Sequence, residues 1–345
     1  MGNDNFKKFK YRGAVHIHSL NSDGTESVDK IAKAAKKAGL SWIIITDHNY
    51  FDTQEGIYHG VYVLKGEEIS PKTENHYLAL GIDNHIELNE NPQVYIDEVR
   101  EQNGFGFAAH PDESTKRNND YPPITWNKTF IPDGVEIWNW FSCWGDNLNS
   151  KNIFTLAYAY LFKHLLVSKP PQRTLAWWDE LNSQKQTITP AIGGVDAHAL
   201  KINKYLIPVT IFSYEVMFKT INNVITLTKP LSENFEIAKG QILTAIKNGN
   251  NTILNANISQ KVPKIEIINS LKTAHSGEFL NLDKKTYLNV EVNKKAIIKV
   301  ILNGRELYEC VAKTCNLLLT EIGKYRVEIL IDNKGFAYSN PIVVM

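Results

Sequence analysis

The sequence predicts an α/β barrel with its functional groups on one rim, followed by a small antiparallel β-sandwich. Six or seven short apolar runs, most ending in His, Asp or Glu, are the pattern of barrel strands that deliver polar residues to a carboxyl-terminal rim. The first two runs are joined by a helical stretch within about thirty residues, the spacing of a parallel β-α-β unit. Beyond Val262 the period changes to two, with turn residues between the runs, which points to antiparallel strands. An open doubly wound sheet is disfavoured: it would gather its functional groups at one switch point, whereas here they recur from residue 16 to residue 198. The expected division is a barrel over residues 1–255, with its motifs within 11–200 and a connecting helical region over 201–255, and a sandwich over 256–345.

Taken in order, Ala14-Val15-His16-Ile17-His18 reads as a strand whose alternation points both histidines to one side, with Asp23 five residues on. Thr25 to Val28 offers cap residues. Ile31, Ala34, Ala35 and Ala38 then recur at helical spacing until Gly39. Trp42-Ile43-Ile44-Ile45 is a buried strand that delivers Thr46-Asp47-His48-Asn49. Val61 to Leu64 leads to Gly66-Glu67-Glu68-Ile69-Ser70, and His76 to Gly81 is another strand. Pro92 to Gln102 predicts a helix, Phe105 to Ala109 a strand running into His110-Pro111, and Gly134 to Trp138 a strand ending in Asn139. A helical, aromatic-rich region follows from Asn152 to about Asn182, and Ile188 to Val195 closes on Asp196-Ala197-His198. Ile207 to Asn255 reads as a mixed connection with a helix near Ala238 to Lys247. Lys264–Ile268, Tyr287–Val292, Ala296–Ile301 and Tyr325–Ile331 are the alternating strands, with turns at Asn303-Gly304 and Asn333-Lys334-Gly335.

Composition bounds the partners. Lys plus Arg (38) nearly equals Asp plus Glu (37), so the net charge of +1 supplies no field for gripping extended nucleic acid or an anionic membrane. Three scattered cysteines, Cys143, Cys310 and Cys315, do not make a disulfide framework. The polar stretch Met1 to Lys10 is unlike a signal peptide, and the apolar run Ile153 to Val167 is interrupted and too short to span a bilayer. A soluble, cytoplasmic protein is expected.

The strand-end residues are His16, His18, Asp23, His48, Glu68, His76, His110, Asp196 and His198. Imidazoles and carboxylates in such number suit zinc and its neighbours, which need three or more ligands each. His59, His85, His164 and His275 fall outside the pattern. Among the aromatic residues, Trp138, Trp140, Phe141 and Trp144 read as core or lid packing in preference to a stacking surface, and Trp177 and Trp178 as helix packing.

His16-x-His18 with Asp23, Thr46-Asp47-His48, Gly66-x-Glu68-Ile69-Ser70, His76 before Leu80-Gly81, Ala109-His110-Pro111 and Asp196-x-His198 resemble, in order, the motifs of the PHP (polymerase and histidinol phosphatase) family. Trp177 to Leu181 ahead of Gly193-Gly194-Val195-Asp196 further resembles its branch named after carbaryl-hydrolysing enzymes, the CehA/McbA-like metallohydrolases. The resemblance implies a distorted (β/α)7 TIM-like barrel, here followed by the sandwich, expected to be immunoglobulin-like. It also implies two to three divalent metal ions (Zn, Mn or Fe) in a trinuclear type of centre. One metal would take His16, His18, Glu68 and Asp196; a second would share Glu68 and add His76 and His110; a third would take Asp23, His48 and His198. Asp23, His48 and His198 are assigned catalytic roles as well. Lys116 and Arg117, on a loop expected to leave the rim, and Asn139 are candidate substrate-binding groups, and Asp47 a candidate to orient an imidazole.

The chemistry expected is hydrolysis of a small anionic phosphoester through a metal-bridged hydroxide. Phosphate monoesters demand accelerations of up to ~10²¹, and a single acid or base supplies about 10²- to 10⁴-fold. Adjacent dications can supply much of the remainder. A nuclease acting on short nucleotides or strand ends, a carboxylester or carbamate hydrolase, and a binding protein using the barrel as a scaffold stay open at this point.

Overall fold

The computed structural model describes residues 8–113, 124–146, 167–199, 201–202, 209–210 and 212–345. The first part of the chain contributes β1 (Phe9–Ile17), β2 (Trp42–Ile45), β3 (Gly56–Tyr58), β4 (Val61–Ile69), β5 (Tyr77–Leu80), β6 (Phe105–Ala108), β7 (Gly134–Asn139) and β8 (Ala191–Ala197). Seven of these close a ring in the order β1-β2-β4-β5-β6-β7-β8 and back to β1. The short β3 pairs antiparallel with the outer part of β4. β2, β5 and β6 are buried throughout, as expected of strands covered on both faces.

The ring is not a uniform β-α-β repeat. β5 runs antiparallel to both neighbours. The chain between Ile69 and Tyr77 is too short for the crossover of a dozen or more residues that a parallel return requires. The helices around the ring are α1 (Val28–Lys37), α2 (Pro92–Glu101), α3 (Trp140–Asp146) and α4 (Gln172–Gln184). α2 opens on proline, and the Asn91 side chain accepts a hydrogen bond from the Gln93 N–H at 3.1 Å. Trp138, Trp140, Trp177 and Trp178 lie in the apolar core, as packing requires. Of the expected helical stretch from Asn152 to about Asn182, residues 152–166, His164 among them, lie outside the described residues, and α4 occupies the end of it.

Downstream come the short pair β9 (Lys201–Ile202) and β10 (Val209–Thr210), the helical turn α5 (Tyr214–Met217), β11 (Ile221–Leu227), α6 (Phe235–Lys247) and β12 (Asn251–Asn255). The expected helix near Ala238 to Lys247 is present as α6, but the connection around it also holds strands: β11 pairs with β1, and β12 with β11. The sequence obscures β11 because Asn222 and Asn223 interrupt its apolar run, yet both are fully buried. Asn223 exchanges hydrogen bonds with the Gly193 N–H and carbonyl (3.0 and 2.6 Å), and Asn222 donates to the Phe218 and Ile221 carbonyls.

The remaining strands are β13 (Lys264–Ile268), β14 (Thr273–Ala274), β15 (Phe279–Leu280), β16 (Tyr287–Leu302), β17 (Arg305–Leu318), β18 (Gly323–Ile331), β19 (Lys334–Ser339) and β20 (Ile342–Val344). β16 pairs with β13, β17 and β18, all antiparallel. The β16–β17 hairpin turns through Asn303 and Gly304, both at positive φ (49° and 81°), as a two-residue hairpin loop demands. β19 returns to β12, which carries the ladder back toward β11 and β1. The Asn340 side chain reinforces that junction through bonds to Ala191 N and O and to Asn251. No helix among the described residues is long and apolar enough to cross a membrane.

Candidate metal centre

The ring gathers the nine strand-end residues at one end. His16 lies in β1 and His18 just beyond it; Asp23 is in the following turn. His48 follows β2, Glu68 lies in β4, His110 follows β6, Asp196 lies in β8 and His198 follows it. His76 stands one residue before β5, and the reversal of that strand is what brings its start to this end. The two histidines of β1 do not meet by simple alternation. His16 has φ +67° and the β1–β8 ladder shifts register there, so a bulge re-aims the side chain. His110 and Asp196 also have positive φ (27° and 52°). Three of the nine therefore hold strained backbone, which persists only where the surroundings over-determine it.

Glu68 is the hub. Its Oε1 lies 2.9 Å from His76 Nδ1 and 3.2 Å from His110 Nε2. Its Oε2 lies 3.0 Å from His48 Nδ1, 3.2 Å from His16 Nε2 and 3.3 Å from His18 Nε2. Asp196 Oδ1 faces His18 Nε2 at 3.4 Å and His198 Nδ1 at 3.4 Å. Asp23, 58% exposed, forms the solvent side, with Oδ1 3.1 Å from His198 Nε2 and 3.7 Å from His48 Nε2. His18, Asp23, His48 and His198 offer one cluster of donor atoms; His16, Glu68 and His110 a second; His16, His18 and Asp196 a third; His48, Glu68 and His76 a fourth.

The hydrogen bonds leave donor atoms aimed inward. A carbonyl can only accept, so His76 Nε2–H donates to Pro71 O (3.0 Å) and its Nδ1 lone pair faces Glu68. His198 Nδ1–H likewise donates to Asp196 O (3.1 Å), which turns its Nε2 lone pair toward Asp23. Ser70 Oγ–H is given to Glu68 O, so Ser70 accepts from His48 Nδ1–H at 2.6 Å. Both nitrogens of His18 are buried without a hydrogen-bond partner, although Nε2 is within 3.4 Å of two carboxylates. Buried lone pairs turned on carboxylate oxygens are costly unless a cation lies among them. The donor set fits divalent metal ions.

Electrostatics divides the imidazoles. Burial, followed by the neighbouring His198 and His48, pulls the His18 pKa down to about 4, and burial lowers that of His76. Burial also opposes charge on His16 and His110, but Glu136, Glu68 and Asp196 outweigh it at His16, and Glu68 and Glu113 raise His110 to about 9. Against burial, the imidazoles hold Glu68 and Asp196 well below the usual carboxylate range.

Several expectations change. Asp47 orients no imidazole: it accepts from Ser19 N–H (2.6 Å) and the hydroxyls of Ser19, Ser22 and Thr53, and so shapes the loop that carries Asp23. Asn139 is buried, and its amide donates to Glu136 (3.1 Å) and Asp196 (3.4 Å). Lys116 and Arg117 lie outside the described residues. His59 and His85 pair with Asp29 and Glu67 away from the cluster. Sequence reasoning missed Glu136, which contacts His16 at 2.8 Å, and Ser70 as a partner of His48. Ser70 lay in a quoted motif; Glu136, alone among apolar residues of its strand, had no signal beyond that isolation.

The sequence profile of the PHP domain family matches residues 14–97. An uncharacterized protein of Methanocaldococcus jannaschii is 33% identical over 143 residues, covering 38% of this chain and 77% of that protein. Among solved structures, a two-domain protein of Bacteroides vulgatus described as containing a predicted PHP-like metal-dependent phosphoesterase is 13% identical, with 99% of each chain covered and a TM-score of 0.44. PsfC of Pseudomonas syringae is 13% identical over 69% of this chain and 96% of that one, with a TM-score of 0.38. On the profile match and the sequence relative, this chain belongs to the PHP domain family.

Proposed function

We propose that the protein is a metal-dependent phosphoesterase that holds two to three divalent cations of the zinc, manganese or iron type and cleaves a small phosphomonoester or phosphodiester. The observation that carries this is Glu68, one fully buried carboxylate with five imidazoles within 3.3 Å of its two oxygens. Bound divalent cations would polarise the phosphoryl oxygens and acidify water at the site.

The chain's residues do the rest. Asp23 and His48 are the most exposed of the nine, so a substrate enters from their side. Ser70 and the Asp196 carbonyl orient His48 and His198, and both imidazoles present Nε2 toward Asp23, where a proton can be held or passed. Charge favours an anion. Counting Asp23, Glu68, Asp196, Glu136 and Glu113 as the site's carboxylates, three dications would leave roughly one positive charge in excess.

The test is metal analysis of the purified protein, followed by turnover of a chromogenic phosphate monoester with and without added manganese or zinc. Bound metal and metal-dependent turnover are expected, and His48→Ala is expected to lower turnover by about 10²- to 10⁴-fold with a native circular dichroism spectrum. Metal-free protein, or undiminished turnover in His48→Ala, would defeat the proposal.

A further inference from the structure

We infer that Glu136 is a positioning residue for the buried part of the centre: it sets the tautomer of His16, pins the backbone of His110, and so controls how tightly metal is held on either side of Glu68. The inference rests on the metal-dependent function proposed above.

Glu136 lies in β7, 1% exposed. Its Oε1 takes His16 Nδ1 at 2.8 Å, and its Oε2 accepts the His110 N–H at 2.7 Å and Asn139 Nδ2–H at 3.1 Å. His16 reaches Glu68 Oε2 and His110 reaches Glu68 Oε1, so one carboxylate supports a ligand on each side of the hub. The two supported residues are also two of the three with strained backbone, and the bond to the His110 N–H holds one of those strained positions directly.

The neighbouring strand makes room for this group. A Cβ at Gly194 in β8 would fall 1.6 Å from Glu136 Oε1 and 2.7 Å from its Cδ, so glycine at this position leaves space for the carboxylate.

All three partners present N–H groups, and only a carboxylate accepts from all of them at once. With the Glu136 carboxylate as acceptor, His16 keeps a proton on Nδ1, which reserves Nε2, the nitrogen facing Glu68, for a metal. A carboxamide must set its NH2 against a donor. If it faces His16, the imidazole proton moves to Nε2 and the lone pair is lost to the centre. If it faces His110, the strained backbone loses its acceptor.

The test uses the full chain as wild type, Glu136→Gln and Gly194→Ala. Zinc affinity is measured by competition with a chelator, cobalt-substituted protein is compared by visible absorption, and the metal-stripped forms are melted. In Glu136→Gln, the zinc held at the buried positions is expected to bind about 10- to 100-fold more weakly, with an altered cobalt spectrum. The metal-stripped variant is expected to melt within about 4 °C of stripped wild type. Gly194→Ala, which displaces the carboxylate, is expected to weaken zinc in the same direction. Zinc affinity within twofold of wild type in either variant overturns the inference, as does a stripped Glu136→Gln whose melting point falls in proportion to its zinc loss. Metal-loaded, active wild type alongside unchanged variants would defeat this inference alone, whereas wild type that binds no metal defeats the proposed function with it.

Discussion

The metal end of the ring and the sheet from Lys264 onward are built from the same strands and turns, yet they bury opposite chemistry. In β16 and β18 most enclosed positions are aliphatic, with Ile298, Val300, Val327 and Ile329 0–1% exposed, although β18 also buries Tyr325 and an Arg326 paired with Asp179. In β1, β4, β7 and β8 the enclosed groups include His16, Glu68, Glu136 and Asp196, 0–4% exposed. Backbone strain follows the same division. Beyond Lys264 the non-glycine residues at positive φ are the turn residues Asn303, Asp332 and Asn333, types that tolerate that region, whereas in the ring His16, His110 and Asp196 adopt it beside or within strands. An aliphatic interior gains stability from area and tolerates imprecision. A polar interior is stable only when each donor meets an acceptor or an ion.

Three substitutions separate these roles. Glu68→Gln removes the charge that every buried imidazole of the cluster except His198 faces, and is expected to abolish metal retention on dialysis and phosphoester turnover together, as read by metal content and a chromogenic assay. A variant that keeps full metal content would dissolve the contrast between the regions. Ile329→Ala, in the aliphatic interior, is expected to cost about 2–5 kcal/mol of unfolding free energy in denaturant titrations, with metal stoichiometry unchanged at low denaturant. A metal deficit there would mean that the two interiors are coupled more tightly than their packing implies.

The smallest effect concerns Asp283. Hydrogen bonds from the Ser270 N–H (2.9 Å), the Lys285 N–H and the Thr286 hydroxyl pull its pKa down to about 2. A carboxyl with a depressed folded-state pKa contributes stability that is complete above its unfolded value near 4 and is lost as pH falls toward 2. Asp283→Asn should therefore flatten the acid limb of the stability profile between about pH 4 and 2, with no change in turnover at neutral pH; an unchanged acid midpoint would exclude this contribution.

The contrast also explains what could be read in advance. Histidines and carboxylates are conspicuous at the ends of apolar runs such as Trp42 to Ile45 before His48, because such runs leave few other places for polar groups. Alternating strands with Asn303-Gly304 between them are equally plain. β11 was not, since Asn222 and Asn223 look like loop residues until the carbonyls of Phe218 and Gly193 are found beside them. Glu136 has the sequence of an outward-facing residue on a half-buried strand. Its inward role depends on His16, 120 residues earlier, and on the space left by Gly194 in the next strand.

By itself, the sequence determined most of the strands and helices of the ring and nine residues whose side chains have the chemistry of metal ligands, because periodicity and side-chain chemistry are local properties. Only the tertiary structure decided the direction of β5, the bulge that turns His16 inward, and the placing of Glu136 beneath it. Strand direction, register and hydrogen-bond partnership are relations between distant segments, and closing the ring is what settles them together.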